Sequence, residues 1–120
     1  MNVAEKDPAV EGLLKDEHRR CLEVLAALRE KVGHLPKGAL NVREKSVGGK
    51  SYRYHYLVFR EGGRVVNRHI PKSDLPALRV QLRERDQCRK EIATYRRRIA
   101  YLERLLRARQ RRKVPRAPGG

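Results

Sequence analysis

Tryptophan is absent from this chain, and its single phenylalanine lies outside the segments that read as helices. An amphipathic helix in a membrane interface usually carries Trp or Phe on its apolar face, so this scarcity argues against membrane association. Long apolar runs are also missing: no stretch approaches the roughly 18 residues of a spanning helix, and MNVAEKDP is charged where a signal peptide is apolar. We expect a cytoplasmic protein, free or associated with the nucleoid.

Residue types that support catalysis or metal binding are scarce as well. Cys21 and Cys88 lie far apart, with no CxxC pair and no histidine at ligand spacing, so we expect two buried, reduced thiols. The four histidines and the acidic residues form no acid–base or metal constellation. His18 falls on an apolar helix seam, where a structural role is expected. We predict no enzyme, no cofactor and no metal site.

Acidic residues are too few to balance the basic ones: 30 Lys and Arg stand against 14 Asp and Glu, for a net charge of +16. The excess is local. Residues 1–33 hold 6 basic and 7 acidic residues, residues 34–72 hold 9 and 2, and residues 79–116 hold 15 and 4. An excess of positive charge attracts polyanions. Because this excess lies in the middle and the C-terminal part of the chain, we expect those parts to bind a polyanion.

The 120 residues are long enough for one small domain. Asp7-Pro8 predicts the start of a helix over residues 8–33. Residues 39–70 predict three strands joined by the turns Gly48-Gly49 and Gly62-Gly63. If each Gly-Gly is a two-residue loop, Val47 pairs with Lys50 and Glu61 with Arg64.

In that register the strand residues divide between two faces. One face collects most apolar residues: Leu40, Val42, Leu57, Phe59, Val66 and Ile70. The other collects Arg43, Lys45, Tyr52, Tyr54, Tyr56, Val58, Arg60, Val65, Asn67 and His69. The two hairpins, whose registers are set independently, therefore place the apolar residues on the same face. This agreement supports the predicted sheet.

After the sheet, Ser73 is predicted to cap a helix over residues 73–113, followed by a disordered tail at 114–120. Both helices carry an apolar seam with spacings of 4 and 3, typical of coiled coils. We predict that the seams pair antiparallel, within one chain or between two. The pairing residues are Leu14, Cys21, Leu25, Leu28, Val32, Ile92, Tyr95, Ile99, Leu102 and Leu106. The predicted fold class is α+β: a helix, a three-stranded antiparallel meander and a long helix.

The basic residues of the sheet and the long helix are the candidate nucleic-acid contacts. After Glu91 the only acid is Glu103, whereas a merely solvated helix face would intersperse acids and bases. On the sheet, tyrosines beside bases can stack on nucleobases or lie against phosphates; packing on a helix is the alternative for that face. The candidates are Arg43, Lys45, Lys50, Tyr52, Arg53, Tyr54, Tyr56, Arg60, Arg64, Arg68, Lys72, Arg96, Arg97, Arg104 and Arg107.

The run LPKGALNVRE, then SYRYHYLVFREGGR and RHIPKSDLPALRVQL, resembles a family of small bacterial proteins of unknown function that is associated with mobile elements. The matching positions are residues 35–38, 52–63 and 69–72. The resemblance implies this architecture and a mobile-element setting, but no mechanism.

We therefore expect a nucleic-acid-binding accessory protein of a mobile genetic element, homodimeric or bound to a partner protein through its helical seams. DNA and RNA both remain open as the ligand. The alternative is a protein–protein assembly module, such as an adaptor subunit of a ribonucleoprotein or an enzyme complex.

Overall fold

The computed structural model describes residues 7–113 and confirms the predicted α+β class. The elements follow in the order α1 (Pro8–His34), β1 (Ala39–Val47), β2 (Lys50–Glu61), β3 (Arg64–Ile70), a 3₁₀ turn (Lys72–Asp74) and α2 (Leu75–Lys113). The three strands form one antiparallel sheet in the order β1-β2-β3. The predicted tail at 114–120 lies outside the described residues.

The two helix starts are built differently. At α1, Asp7 Oδ1 accepts a hydrogen bond from the Ala9 N–H at 2.9 Å, as expected for an N-terminal cap. At α2 the predicted Ser73 cap is wrong. The Asp74 N–H donates to the Pro71 carbonyl at 3.0 Å, which closes a 3₁₀ turn around Ser73, so the α-helix begins only at Leu75.

The hairpin turns explain why the predicted register is correct. Gly48, Gly49, Gly62 and Gly63 all have positive φ, between 55° and 79°. Positive φ at both central residues is the type I′ turn, whose twist matches that of the flanking strands. The turns pair Val47 with Lys50 and Glu61 with Arg64, as the sequence predicts.

Gly38, just before β1, occupies a position that only glycine fits. Its φ is 118°, and a Cβ added there would lie 2.5 Å from the Val58 carbonyl oxygen. The backbone therefore approaches β2 more closely than any side chain allows.

The described chain divides into two compact units. The sheet unit comprises Lys31–Arg89. Its core lies between the apolar face of the sheet and the first turns of α2. Leu57, Ile70, Leu75 and Leu78 are buried in this core, and Leu40, Phe59 and Leu82 pack against them.

The helical unit comprises the residues up to Glu30 and from Lys90 onward. Cys21, Leu25, Ile99 and Leu102 form its buried core, with Leu14, Ile92 and Tyr95 packed around them. Near one end Arg109 Nη2 donates to the Asp7 carbonyl at 2.9 Å, and farther along His18 Nε2 lies 3.3 Å from Glu103 Oε1. These two contacts show that the helices run antiparallel within one chain.

Seven of the ten predicted pairing residues thus lie in or against this core. Leu28 and Leu106 are half-buried. Val32 belongs instead to the sheet unit, where it lines a cleft beside Leu57, because the last turn of α1 lies in that unit.

Cys21 and Glu17, both in the helical unit, have shifted pKa values. Burial raises the pKa of the Cys21 thiol, which keeps it protonated and unreactive. Arg20 Nε donates to Glu17 Oε2 at 2.9 Å, and this hydrogen bond lowers the pKa of Glu17 to about 2. Cys88 is also buried with a free thiol, so both cysteines have the predicted environment.

Candidate nucleic-acid interface

Alternation along the strands creates the face that we call the tyrosine face. It is the side of the sheet opposite the one covered by the first turns of α2. Pairing of Lys45 with Tyr52, Arg43 with Tyr54, and Tyr56 with His69 brings these side chains to one surface. Its polar and aromatic members are Asn41, Arg43, Lys45, Lys50, Tyr52, Tyr54, Tyr56, Arg60, Asn67 and His69.

Charge is distributed unequally between the two sides of the sheet. The same alternation places both acidic residues of the strands, Glu44 and Glu61, on the opposite side from the tyrosines. The tyrosine face therefore carries four bases and no acid from the three strands. A single-sign surface without internal ion pairs is suited to a polyanion.

Arg43 is the most firmly positioned base of the tyrosine face. Its guanidinium carbon lies 4.6 Å from the centroid of the Tyr56 ring, and its Nη2 donates to Asn67 Oδ1 at 2.7 Å. Arg43 lies in β1, and its two partners lie in β2 and β3. Because both contacts are to neutral groups, the positive charge of Arg43 is oriented but not neutralised.

Tyr54, Lys45 and His69 form a second cluster of contacts on the tyrosine face. Lys45 Nζ lies 5.6 Å from the Tyr54 ring centroid, and His69 contacts both neighbouring rings, at 6.1 Å from Tyr54 and 5.6 Å from Tyr56. The faces of these two rings thus support cations. Within this cluster, tyrosine serves to orient basic groups.

Tyr52 is different, because it lies near the start of β2 with 44% of its surface exposed. Within the described chain its ring has no aromatic or cationic neighbour within contact distance. Tyr52 is therefore the ring of this face that is open to stacking by a nucleobase.

Three of the candidate sheet arginines do not belong to the tyrosine face. By alternation Arg53, Arg64 and Arg68 lie on the opposite side. Arg53 Nε donates to Glu44 Oε1 at 3.0 Å, so part of its charge is compensated. Lys72 lies in the 3₁₀ turn and lines a cleft of about 640 Å³ together with Tyr52, Tyr54 and His69.

The candidate bases of α2 lie in the helical unit, and all four side chains are exposed. At 3.6 residues per turn, Arg96, Arg97, Arg104 and Arg107 fall within about 100° of one another around the helix axis. This stripe points away from the buried Ile99 and Leu102. Arg104 also lies over the Tyr101 ring, 6.0 Å from its centroid.

Sequence reasoning did not select Lys37 and Arg85, which line a cationic cleft on the other side of the sheet. Lys37 lies in the LPKG motif, so the sequence drew attention to this position. No sequence feature pointed to Arg85, because the residues around it depend on how α2 packs against the sheet.

The described residues contain no helix long and apolar enough to cross a membrane. Nor do three or more His, Cys, Asp or Glu residues come together in residues 7–113 in a way that could hold a metal ion.

Comparison with known proteins gives one relationship. The model of the family DUF6788, a domain of unknown function, matches residues 13–80, which span most of α1, the whole sheet and the start of α2. No curated protein and no solved structure matched the chain. Because the family model covers more than half of the chain, the protein belongs to the DUF6788 family, whose function is unknown.

Proposed function

We propose that this protein binds nucleic acid through the tyrosine face, as an accessory protein of a bacterial mobile genetic element. The observation that carries the proposal is the charge segregation of the sheet: four bases and three tyrosines on one side, both strand acids on the other. Arg43 and Lys45, held by Tyr56 and Tyr54, contact phosphates or base edges. Tyr52 offers a stacking surface.

The arginine stripe of α2 supplies a second contact segment in this proposal. Arg96, Arg97, Arg104 and Arg107 neutralise further phosphates, which adds affinity without sequence information. Counterion release then makes binding steeply dependent on salt.

A titration with a fluorescent random duplex and a random single strand, at several salt concentrations, tests the proposal. Arg43→Gln with Lys45→Gln is expected to lower the affinity for the preferred probe by about tenfold or more. On a duplex it should also reduce the salt slope by about 0.9 for each lost phosphate contact. The matched control is Arg53→Gln with Arg64→Gln, which removes two charges from the opposite side of the sheet. It should change affinity by less than about threefold, because only the general field is reduced.

Equal losses in both double variants would contradict a specific role of the tyrosine face. Weak, unsaturable binding of both probes would instead favour the alternative, an assembly module whose bases dock on an acidic protein. Light scattering with and without a short duplex gives the stoichiometry and tests the expected homodimer. Both helical seams already pack within one chain, so a dimer through them would require exchange of helices.

A further inference from the structure

The sheet unit contains a cleft on the side of the sheet away from the tyrosines. Its volume is about 430 Å³, within the range of small-molecule sites. Leu57 and Phe59 of β2 form part of an apolar wall, together with Val32, Leu35 and Pro36. Three cations, Lys37, Arg68 and Arg85, line the same cleft, and its lining contains no acid.

Arg85 is the most informative of these cations. Its Nε is buried and has no hydrogen-bond acceptor among the described residues. The adjacent Glu84 is engaged elsewhere, with its Oε1 2.8 Å from Lys31 Nζ. A guanidinium that is partly withdrawn from water and lacks a carboxylate partner interacts strongly with any anion that reaches its terminal N–H groups.

A smaller adjoining cleft of about 290 Å³ extends the cationic lining. It shares Lys37, Phe59 and Arg85 with the first cleft and adds Arg89, one acid, Asp86, and Arg60, which also belongs to the tyrosine face. Apart from Arg60, four cations against one acid along the two clefts favour an anion of charge −2 over a single carboxylate. The apolar wall with Phe59 favours an anion that carries a flat, apolar body.

We propose that this cleft binds a nucleoside monophosphate. The base packs against Phe59, since every nucleobase presents a π-face to an aromatic side chain. The phosphate is held by Arg68 and Arg85, whose planar groups match phosphate oxygens, with Lys37 as a third cation. The ligand is either a free nucleotide or the 5′-phosphorylated end of a strand, because both present the same chemistry.

Amide shifts in the NMR spectra of the isotope-labelled full chain test the site, with AMP, adenosine and inorganic phosphate as probes. AMP is expected to shift the amides of Lys37, Phe59 and Arg85 and to saturate. Adenosine lacks the phosphate and inorganic phosphate lacks the base, so each should bind at least about tenfold more weakly than AMP. Arg68→Gln with Arg85→Gln should weaken AMP binding by about tenfold or more, because both guanidinium groups that hold the phosphate are lost.

The control is Arg43→Gln with Lys45→Gln, which removes the same charge from the tyrosine face and should leave AMP affinity within about twofold. If the double cleft variant does not fold, Lys37→Gln, at an exposed side chain, replaces it with a smaller expected loss. Binding of inorganic phosphate as tightly as AMP, or AMP affinity unaffected by the cleft variants, overturns the proposal.

Trinucleotides with a 5′-phosphate or a 5′-hydroxyl identify the source of the ligand. Binding of the phosphorylated trinucleotide at least as tight as that of AMP assigns the site to strand ends, and weaker binding assigns it to free nucleotides. A duplex without 5′-phosphates does not present the ligand of the cleft, so with such a probe the duplex titration above reports on the tyrosine face and the arginine stripe of α2. Failure of the cleft and failure of the tyrosine face are therefore separate results.

Discussion

The two faces of one sheet have opposite chemistry although they share the same three strands. The apolar face buries Leu57 and Ile70 under the first turns of α2 and carries both strand acids. The tyrosine face has four bases, no acid, and two tyrosines that hold cations in place. If nucleic acid binds the tyrosine face, as we propose, while the apolar face holds the core, substitutions on the two sides should have separable effects on nucleic-acid affinity and on stability.

The largest effect is expected from breaking the apolar face with Leu57→Ala. Leu57 is 3% exposed at the centre of the sheet core, and truncation leaves a cavity that costs about 3 kcal/mol of the free energy of unfolding. Urea denaturation followed by circular dichroism measures it. Val65→Ala, at an exposed position of the tyrosine face, is the control and should change stability by less than about 0.5 kcal/mol. A comparable loss in both variants would contradict the assignment of the core.

A somewhat smaller loss is expected from Gly38→Ala, which tests the close approach of backbone to β2. The new Cβ would meet the Val58 carbonyl oxygen, and a φ of 118° is strained for alanine, so we expect about 2 kcal/mol of destabilisation. In the opposite direction, Gly12→Ala lies within α1 with open space around it and should stabilise by about 0.5–1 kcal/mol. Thermal unfolding of both variants gives the comparison, and a neutral Gly38→Ala would show that the backbone there can shift.

The tyrosine face is broken by replacing Tyr54 and Tyr56 together with alanine. Loss of the rings that orient Lys45 and Arg43 should weaken nucleic-acid binding by about tenfold, while the loss of cross-strand pairs costs about 1 kcal/mol of stability. Anisotropy titration and denaturation of the same sample separate the two effects. The double Tyr→Phe variant keeps the rings and should retain affinity within about threefold. If it binds as weakly as the alanine variant, the hydroxyls rather than the rings carry the function.

The smallest effect is expected from Glu44→Gln, which sharpens the comparison by changing charge only on the side away from the tyrosines. The Glu44–Arg53 pair is exposed, so its loss should alter the free energy of unfolding by less than about 0.5 kcal/mol. Affinity for nucleic acid should rise by less than about twofold, since the freed Arg53 faces away from the proposed interface. A tenfold increase in nucleic-acid affinity would indicate binding on the side of Arg53 and would contradict our proposal.

Much of the sheet could be predicted because its rules are local. Two Gly-Gly turns set the register, and strict alternation along each strand then assigned Tyr54 and Leu57 to opposite faces. The helix ends were less predictable: a capping residue such as Ser73 cannot reveal that a 3₁₀ turn will close after Pro71. The predicted register also left Arg53, Arg64 and Arg68 out of the tyrosine face, and the structure places them on the other side.

By itself the sequence determined the α+β class, the strand register and the seams of both helices, since each depends on spacing along the chain. Only the tertiary structure decided that the seams pair within one chain, that Val32 lies in the sheet unit, and that Arg85 lines a cleft with Lys37 and Phe59. Such neighbourhoods join residues far apart in sequence, and no local propensity or periodicity encodes which of them will meet.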